Sequence, residues 1–234
     1  MDRGLFGDED GLAPDRHVAA AGAPDRGERR GLALTAVASL VPFVALAVWA
    51  RLAAPGPWEF DLLLAATAGE GPIGDVLRGL TALGNLAVWA SLALVMTIVA
   101  VTADRAWAGL LIALSVASDL VAFVVKSIVE RGRPEGALVD VLFGSDSFAF
   151  PSGHVVRATA LVAVVTWLVT PHAWRLPTAL AAGVVAGVVM GYSRVALAAH
   201  WPTDALGGLL LGLCWFAGTC WLAGDRAVVV RSRA

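Results

Sequence analysis

The sequence predicts an all-α fold, an integral-membrane bundle of six transmembrane helices. Two observations carry that prediction. Of 234 residues, 58% are hydrophobic and only 15% charged, with a mean hydropathy of +0.75, whereas soluble domains run near half apolar and a quarter charged. The apolar residues also fall into six blocks, at roughly 31–53, 77–102, 106–130, 154–170, 177–193 and 204–223. Each approaches or reaches the ~20 residues that cross a ~30 Å hydrocarbon core. Helices close their own backbone hydrogen bonds, which lipid cannot do for them. The length suits one compact bundle with no second large domain.

Before the first block, residues 1–30 are polar, rich in Gly, Pro and Ala, and carry seven acids and five arginines. They bury too little apolar surface to fold alone and read as a disordered cytoplasmic tail. The membrane domain spans 31–223, and 224–234 form a second cytoplasmic tail. The first block is too long, and its leading tail too acidic, for cleavage as a signal peptide to be more than a minor alternative. Arg26, Arg29 and Arg30 precede the first span, Arg226, Arg231 and Arg233 follow the last, and Arg105 and Arg175 sit in short connections. The positive-inside rule then puts both termini in the cytoplasm of a plasma-membrane protein. The first outer loop agrees, since Glu59, Asp61, Glu70 and Asp75 outnumber Arg51.

Within the fifth block, Gly183, Gly187 and Gly191 recur every four residues, a row that lets a neighbouring helix approach closely. Cys214 and Cys220 share the last block. Six residues apart they face different directions and read as small packing residues without redox or metal duty. A net charge of −2 and the lack of a basic stripe argue against nucleic acid as a partner.

Three polar clusters interrupt the apolar background. The first runs from Lys126, the single lysine against 16 arginines, to Arg133 and Pro134. The second is Pro151-Ser152-Gly153-His154 and the third links Ser193-Arg194 to His200 and Asp204. With both termini inside, all three lie on the outer face. Lys126, Arg133 and Arg194 are fixed cations at a bilayer edge, where uncompensated charge is costly. Arginine forks match phosphate oxygens, and lysine adds a point charge. Ser152 is placed to cap the fourth span, and Gly153 lets the helix-end N–H groups approach an anion. Together these five residues suit a phosphoryl group and its transition-state charge.

Asp204 lies one helical turn beyond His200, where a carboxylate fixes the ring tautomer and supports imidazolium character. His200 is therefore the candidate nucleophile, forming a phosphohistidine that water later cleaves. His154 is free to protonate the leaving oxygen. Arg131, Arg157 and Ser193 lie nearby, with contact to substrate left open. Asp119, two turns before Lys126 on the same face, is either functional or a hydrogen-bonding partner for a neighbouring helix. His17 and His172 read as solvated.

Lysine, six residues, Arg-Pro; then Pro-Ser-Gly-His; then Ser-Arg, five residues, His, three residues, Asp: in this order the pattern resembles the membrane branch of the type-2 phosphatidic acid phosphatase superfamily. That superfamily shares its site with vanadium haloperoxidases. The resemblance covers about residues 75–220 and matches all three motifs without a gap. It implies a metal-independent lipid phosphatase with no cofactor, acting on a phosphomonoester or diphosphate at the outer leaflet. Lys126, Arg133, Ser152, Gly153 and Arg194 would bind phosphate, His154 would be the acid, and His200 with Asp204 the nucleophilic pair. A polyprenyl diphosphate, a phosphatidate and a phosphatidylglycerophosphate are the substrate candidates, with a slight preference for the first from resemblance to bacterial carrier-recycling enzymes.

Taken singly, each element has a plainer reading. Lys126 and Arg133 would be snorkelling anchors, Pro-Ser-Gly a capped helix start, and His200–Asp204 an inert polar pair. Three motifs in register argue against that. The rival functions are a lipid phosphotransferase using the same histidine, a vanadate-dependent haloperoxidase, which the apolar spans disfavour, and a non-enzymatic lipid-phosphate binder.

Overall fold

The computed structural model describes residues 24–67, 71–134 and 148–231, with side chains as far as residue 222. The expectations for residues 1–23, His17, Glu70 and the side chains of Arg226, Arg231 and Arg233 lie outside the described residues. All the regular structure among the described residues is helical. The first helix, α1 (Arg26–Leu52), starts five residues earlier than its apolar block because Asp25 caps it, accepting the Glu28 N–H at 2.8 Å. Pro72 opens α3 (Pro72–Leu83), and Asn85 caps α4 (Leu86–Thr102) by accepting the Ala87 N–H at 2.8 Å. The expected span 77–102 is therefore two helices, bent by 53° at Gly84–Asn85. The long α5 (Ala106–Val129) stops at Glu130, whose φ of 53° is left-handed.

Next come α6 (Gly153–Val169), a 3-10 turn (His172–Trp174), α7 (Arg175–Ala196) and α8 (Pro202–Arg231). Four helices are long and apolar enough to cross a membrane, or five if α3 and α4 count as one bent span. The remaining expected span, the fourth at 154–170, corresponds to α6, which is apolar but only 17 residues long. Its position explains that length. With α5, α7 and α8 packed around it, α6 buries residues on every side, including Val155, Val156, Leu161, Val164 and Trp167. It is the core of the bundle.

The glycine row on α7 does what its spacing predicts. A Cβ at Gly183 would come within 2.9 Å of the Ala163 Cβ on α6, so only glycine permits this approach. Gly212 on α8 is as tight, with Thr159 of α6 2.6 Å from its hypothetical Cβ. Among the cysteines, Cys220 is buried and both are free.

One segment departs from expectation. The segment after α1, expected to be the first outer loop, contains a further helix, α2 (Pro57–Ala66), with Pro57 in its first turn. Glu59, counted among the acids of that loop, is fully buried. At the opposite end of the bundle Arg175, counted above as a connection cation, is also buried. Its Nε donates to Glu28 Oε1 at 2.8 Å and its Nη2 to Glu28 Oε2 at 2.6 Å. The guanidinium also lies 4.1 Å from the Trp167 ring centre, so its charge is spent on packing α7 against α1 and α6. His172 is half-exposed, with Nε2 3.2 Å from Glu28 Oε2.

Candidate active site

The C-terminal ends of α5 and α7 and the N-terminal ends of α6 and α8 meet at one end of the bundle, with α2 beside them. The chain between α7 and α8 turns tightly there. Ala199 N–H donates to Arg194 C=O at 3.0 Å, and Ala198 takes a left-handed φ of 50°. That is costly for a residue with a Cβ and holds only because the surroundings fix it. Arg133, on the segment after α5, grips the turn by donating from Nη1 to Ala199 C=O at 2.9 Å. Trp201 Nε1 donates to Gly132 C=O at 3.0 Å, tying the same two segments again.

His200 sits on this turn, 1% exposed. Its Nε2 is 3.5 Å from Arg133 Nη1, and its Nδ1 is 3.5 Å from Asp204 Oδ2. The second distance is too long for a hydrogen bond, and Nδ1 has no partner among the described residues. Burial, followed by the positive charges of Arg194, Lys126 and Arg133 and by His154, pushes the His200 pKa well below the ordinary histidine value. The ring is thus neutral, the form in which one ring nitrogen has a free lone pair. Those same residues are the ones that the sequence motifs single out, so the fold does bring Lys126, Arg133, His154 and Arg194 around His200.

Each has a distinct setting. Lys126 Nζ donates to the carbonyls of Phe148, at 2.5 Å, and Ala149, at 3.3 Å. Desolvation, offset in part by Asp204, lowers the Arg133 pKa from its ordinary value. Arg194 is 7% exposed, and its Nε is buried without a hydrogen bond. His154 is half-buried in the first turn of α6, against the α3–α4 elbow, where a Cβ on Gly84 would fall 2.7 Å from its ring. Gly153 opens α6, and the first N–H groups of a helix lack intrahelical acceptors.

Ser152 corrects an expectation. It stands at the N-cap of α6, but its side chain makes no capping bond; its Oγ is buried and without a partner. The backbone holds it instead, with Ser152 N–H donating to Asp204 C=O at 3.0 Å. That bond pins the start of α6 to the start of α8 and leaves the hydroxyl available.

Three residues left open have partners within the protein. Arg157 pairs with Asp119 and donates to Gly84 C=O at 3.0 Å, joining α5, α6 and the elbow. Ser193 Oγ donates to Leu77 C=O at 3.0 Å and meets Thr81 Oγ1 at 2.9 Å. Arg131 is 4% exposed and joins a network that sequence reasoning missed. Its Nη1 donates to Asp204 Oδ1 at 3.0 Å and to Thr203 Oγ1, while Nη2 donates to Glu59 Oε2 at 2.7 Å. Thr203 Oγ1 in turn donates to Glu59 Oε1. The only sequence signal was the pair of acids, Glu59 and Asp61, inside the short apolar run 57–66, of which Glu59 alone is buried.

The chain is similar to known proteins. The description "PAP2 superfamily" matches residues 106–227, just over half the chain. Phosphatidylglycerophosphatase B of Bacillus subtilis is 35% identical over 150 residues, covering 62% of this chain and 72% of its own. Decaprenylphosphoryl-5-phosphoribose phosphatase of Mycobacterium tuberculosis is 31% identical over 58% of this chain and 72% of its own. A crystal structure of a transmembrane PAP2-type phosphatidylglycerolphosphate phosphatase from Bacillus subtilis superposes with a TM-score of 0.68 at 28% identity, covering 80% of this chain and 94% of that one.

Proposed function

Because the chain belongs to the PAP2 superfamily of membrane lipid phosphatases, we propose that it hydrolyses a lipid phosphomonoester or diphosphate through a phosphohistidine on His200. Arg194 carries this reading. Among the described residues no ion pair or hydrogen bond reaches its guanidinium, although the residue is 7% exposed. A buried cation without an acid is costly until an anion arrives. Beside it stand Lys126, Arg133, the Ser152 hydroxyl and the Gly153 end of α6, donors suited to phosphate oxygens.

In the first step the Nε2 lone pair of His200 attacks phosphorus, since Nδ1 faces Asp204. The bond from phosphorus to the leaving oxygen breaks, that of the lipid alcohol in a monoester or of the remaining lipid monophosphate in a diphosphate, and His154 gives that oxygen its proton. Asp204 supports the positive charge that the His200 ring gains. Water, giving its proton to His154, then attacks phosphorus. The P–N bond breaks, its electrons return to Nε2, and inorganic phosphate leaves.

The membrane arrangement belongs to the same reading. Six crossings result when α3 and α4 form one bent span and α6 crosses as the enclosed central helix. An even number puts both termini on one face, the cytoplasm, and the site on the other. The domain then runs over 31–223 between short cytoplasmic tails. Of the relatives matched over 72% of their length, one is a phosphatidylglycerophosphatase and another acts on a decaprenylphosphoryl compound, so a phosphatidylglycerophosphate stands beside the polyprenyl substrate preferred from sequence, whereas the undecaprenyl-diphosphatase of Sulfolobus acidocaldarius matches over only 29% of its length. The test is phosphate release by the detergent-purified protein across these lipid phosphates, with an added alcohol to trap any transfer. No release from any of them would refute hydrolysis, and a phosphorylated alcohol as main product would make the protein a phosphotransferase.

A further inference from the structure

Three charged side chains, all less than 5% exposed, line up behind the proposed nucleophile: Glu59 on α2, Arg131 after α5 and Asp204 on α8. Arg131 bridges the two acids, at 2.7 Å to Glu59 and 3.0 Å to Asp204. We propose that Glu59 is a positioning residue for the reaction, which keeps the charge of Asp204 available to His200 by taking up that of Arg131. This rests on His200 being the nucleophile.

The reasoning is one of charge. Arg131 and Asp204 by themselves form a neutral pair, and a neutral pair gives little support to an imidazolium. With Glu59 the buried triad carries one net negative charge, and in a poorly solvated site such a charge acts strongly on a ring one contact away. Geometry agrees. Arg131 engages Asp204 through Oδ1 alone, and Oδ2, held by the Trp201 N–H at 2.8 Å, is the oxygen that faces His200 Nδ1. Thr203, bonded to both Glu59 and Arg131, fixes the fork.

Glu59 also helps to seat its own helix. The helix α2 has an apolar outer side, with Trp58, Leu62 and Leu64 exposed, while Phe60 meets Trp201 edge-on at 4.8 Å. Leu63 packs beside Trp201 and Ala198, on the turn that bears His200. These apolar contacts and the buried acid together seat α2 at the site, and Glu59 Oε2 also accepts the Gly56 N–H at 3.4 Å at the start of the helix.

The test compares wild type, Glu59→Gln, Glu59→Asp and the double variant Glu59→Gln/Arg131→Gln, after gel filtration and thermal melting have selected folded protein. Glu59→Gln keeps the shape and leaves Arg131 to Asp204 alone. Its kcat should fall about 10–100-fold, the scale seen when partners that orient metal ligands are removed, with KM little changed. Inhibition by inorganic phosphate should hold, while inhibition by vanadate weakens in step with kcat. Glu59→Asp should recover part of the loss. The double variant again leaves one net negative charge, on Asp204, and should be faster than Glu59→Gln. A purely structural role predicts the reverse, a double variant slower than Glu59→Gln. That order, or a folded Glu59→Gln protein with unaltered kcat, overturns the proposal. If Glu59→Gln does not fold, the double variant decides: near-normal kcat supports the charge argument, and collapse of kcat in folded protein refutes it. Phosphate release by wild type separately tests the reaction itself; an inactive wild type would sink both ideas, whereas an active one with indifferent Glu59 sinks only this one.

Discussion

Asp204 Oδ2 lies 3.5 Å from His200 Nδ1 and already accepts the Trp201 N–H at 2.8 Å, while Oδ1 accepts from Arg131 at 3.0 Å. The carboxylate therefore holds the α7–α8 turn as well as facing the ring. Asp204→Asn should slow turnover by about 10²–10⁴, because an amide neither selects the tautomer nor supports the imidazolium. It should also lower the melting temperature in detergent, since one oxygen's acceptor role passes to an NH₂ group facing a donor. A rate loss exceeding that of His200→Ala would reverse the roles assigned to the two residues.

His200→Ala is expected to abolish phosphate release and leave a folded, membrane-inserted protein. The ring's Nδ1 makes no hydrogen bond, and Nε2 stands 3.5 Å from Arg133, so its removal orphans no strong partner. Turnover near the wild-type rate in a protein with a normal gel-filtration profile would rule out the nucleophile.

The His200 ring should stay neutral as pH falls through 6.5, the ordinary histidine value, because burial and then Arg194, Lys126 and Arg133 oppose its protonation. A folded pKa below the unfolded one means that unfolded protein binds the extra proton. The native state thus loses stability below about pH 6.5 rather than gaining it. Carbon-13 labelling of the histidines, with His200→Ala to assign the signal, measures this directly. A midpoint at 6.5 in ligand-free protein would contradict the electrostatics described above.

Activity should survive excess EDTA and be inhibited by vanadate. A divalent cation near His154, His200 and Asp204 would meet Lys126, Arg133 and Arg194, and like charges repel strongly where water is scarce. Those cations supply the charge neutralisation that a metal otherwise provides. Vanadate, able to adopt five-coordinate geometry, should compete with substrate for the same donors. Loss of activity in EDTA with recovery on adding zinc or magnesium would assign the trio to metal binding.

The catalytic end should face away from the cytoplasm. With Cys214 and Cys220 replaced, a single cysteine at position 145, in the expected outer loop and outside the described residues, should react with a membrane-impermeant thiol reagent on intact cells. Labelling only after permeabilisation would invert the orientation.

The all-α membrane class, the three polar motifs and the close packing of Gly183 and Gly187 are legible in the sequence. These are local properties: apolar block length, helix-end chemistry and four-residue spacing are written in consecutive residues. Tertiary structure decided what depends on distant partners. Whether Ser152 caps α6, whether Arg157 pairs with Asp119, and whether residues 77–102 run straight follow from neighbours far along the chain. Glu59 illustrates the limit best. An acid in a short run between two spans reads as a solvated loop charge, and its burial depends on Arg131 and Thr203, 72 and 144 positions away. Pairing between charges so separated leaves no periodicity in the sequence, because it is set by which helix ends the bundle brings together.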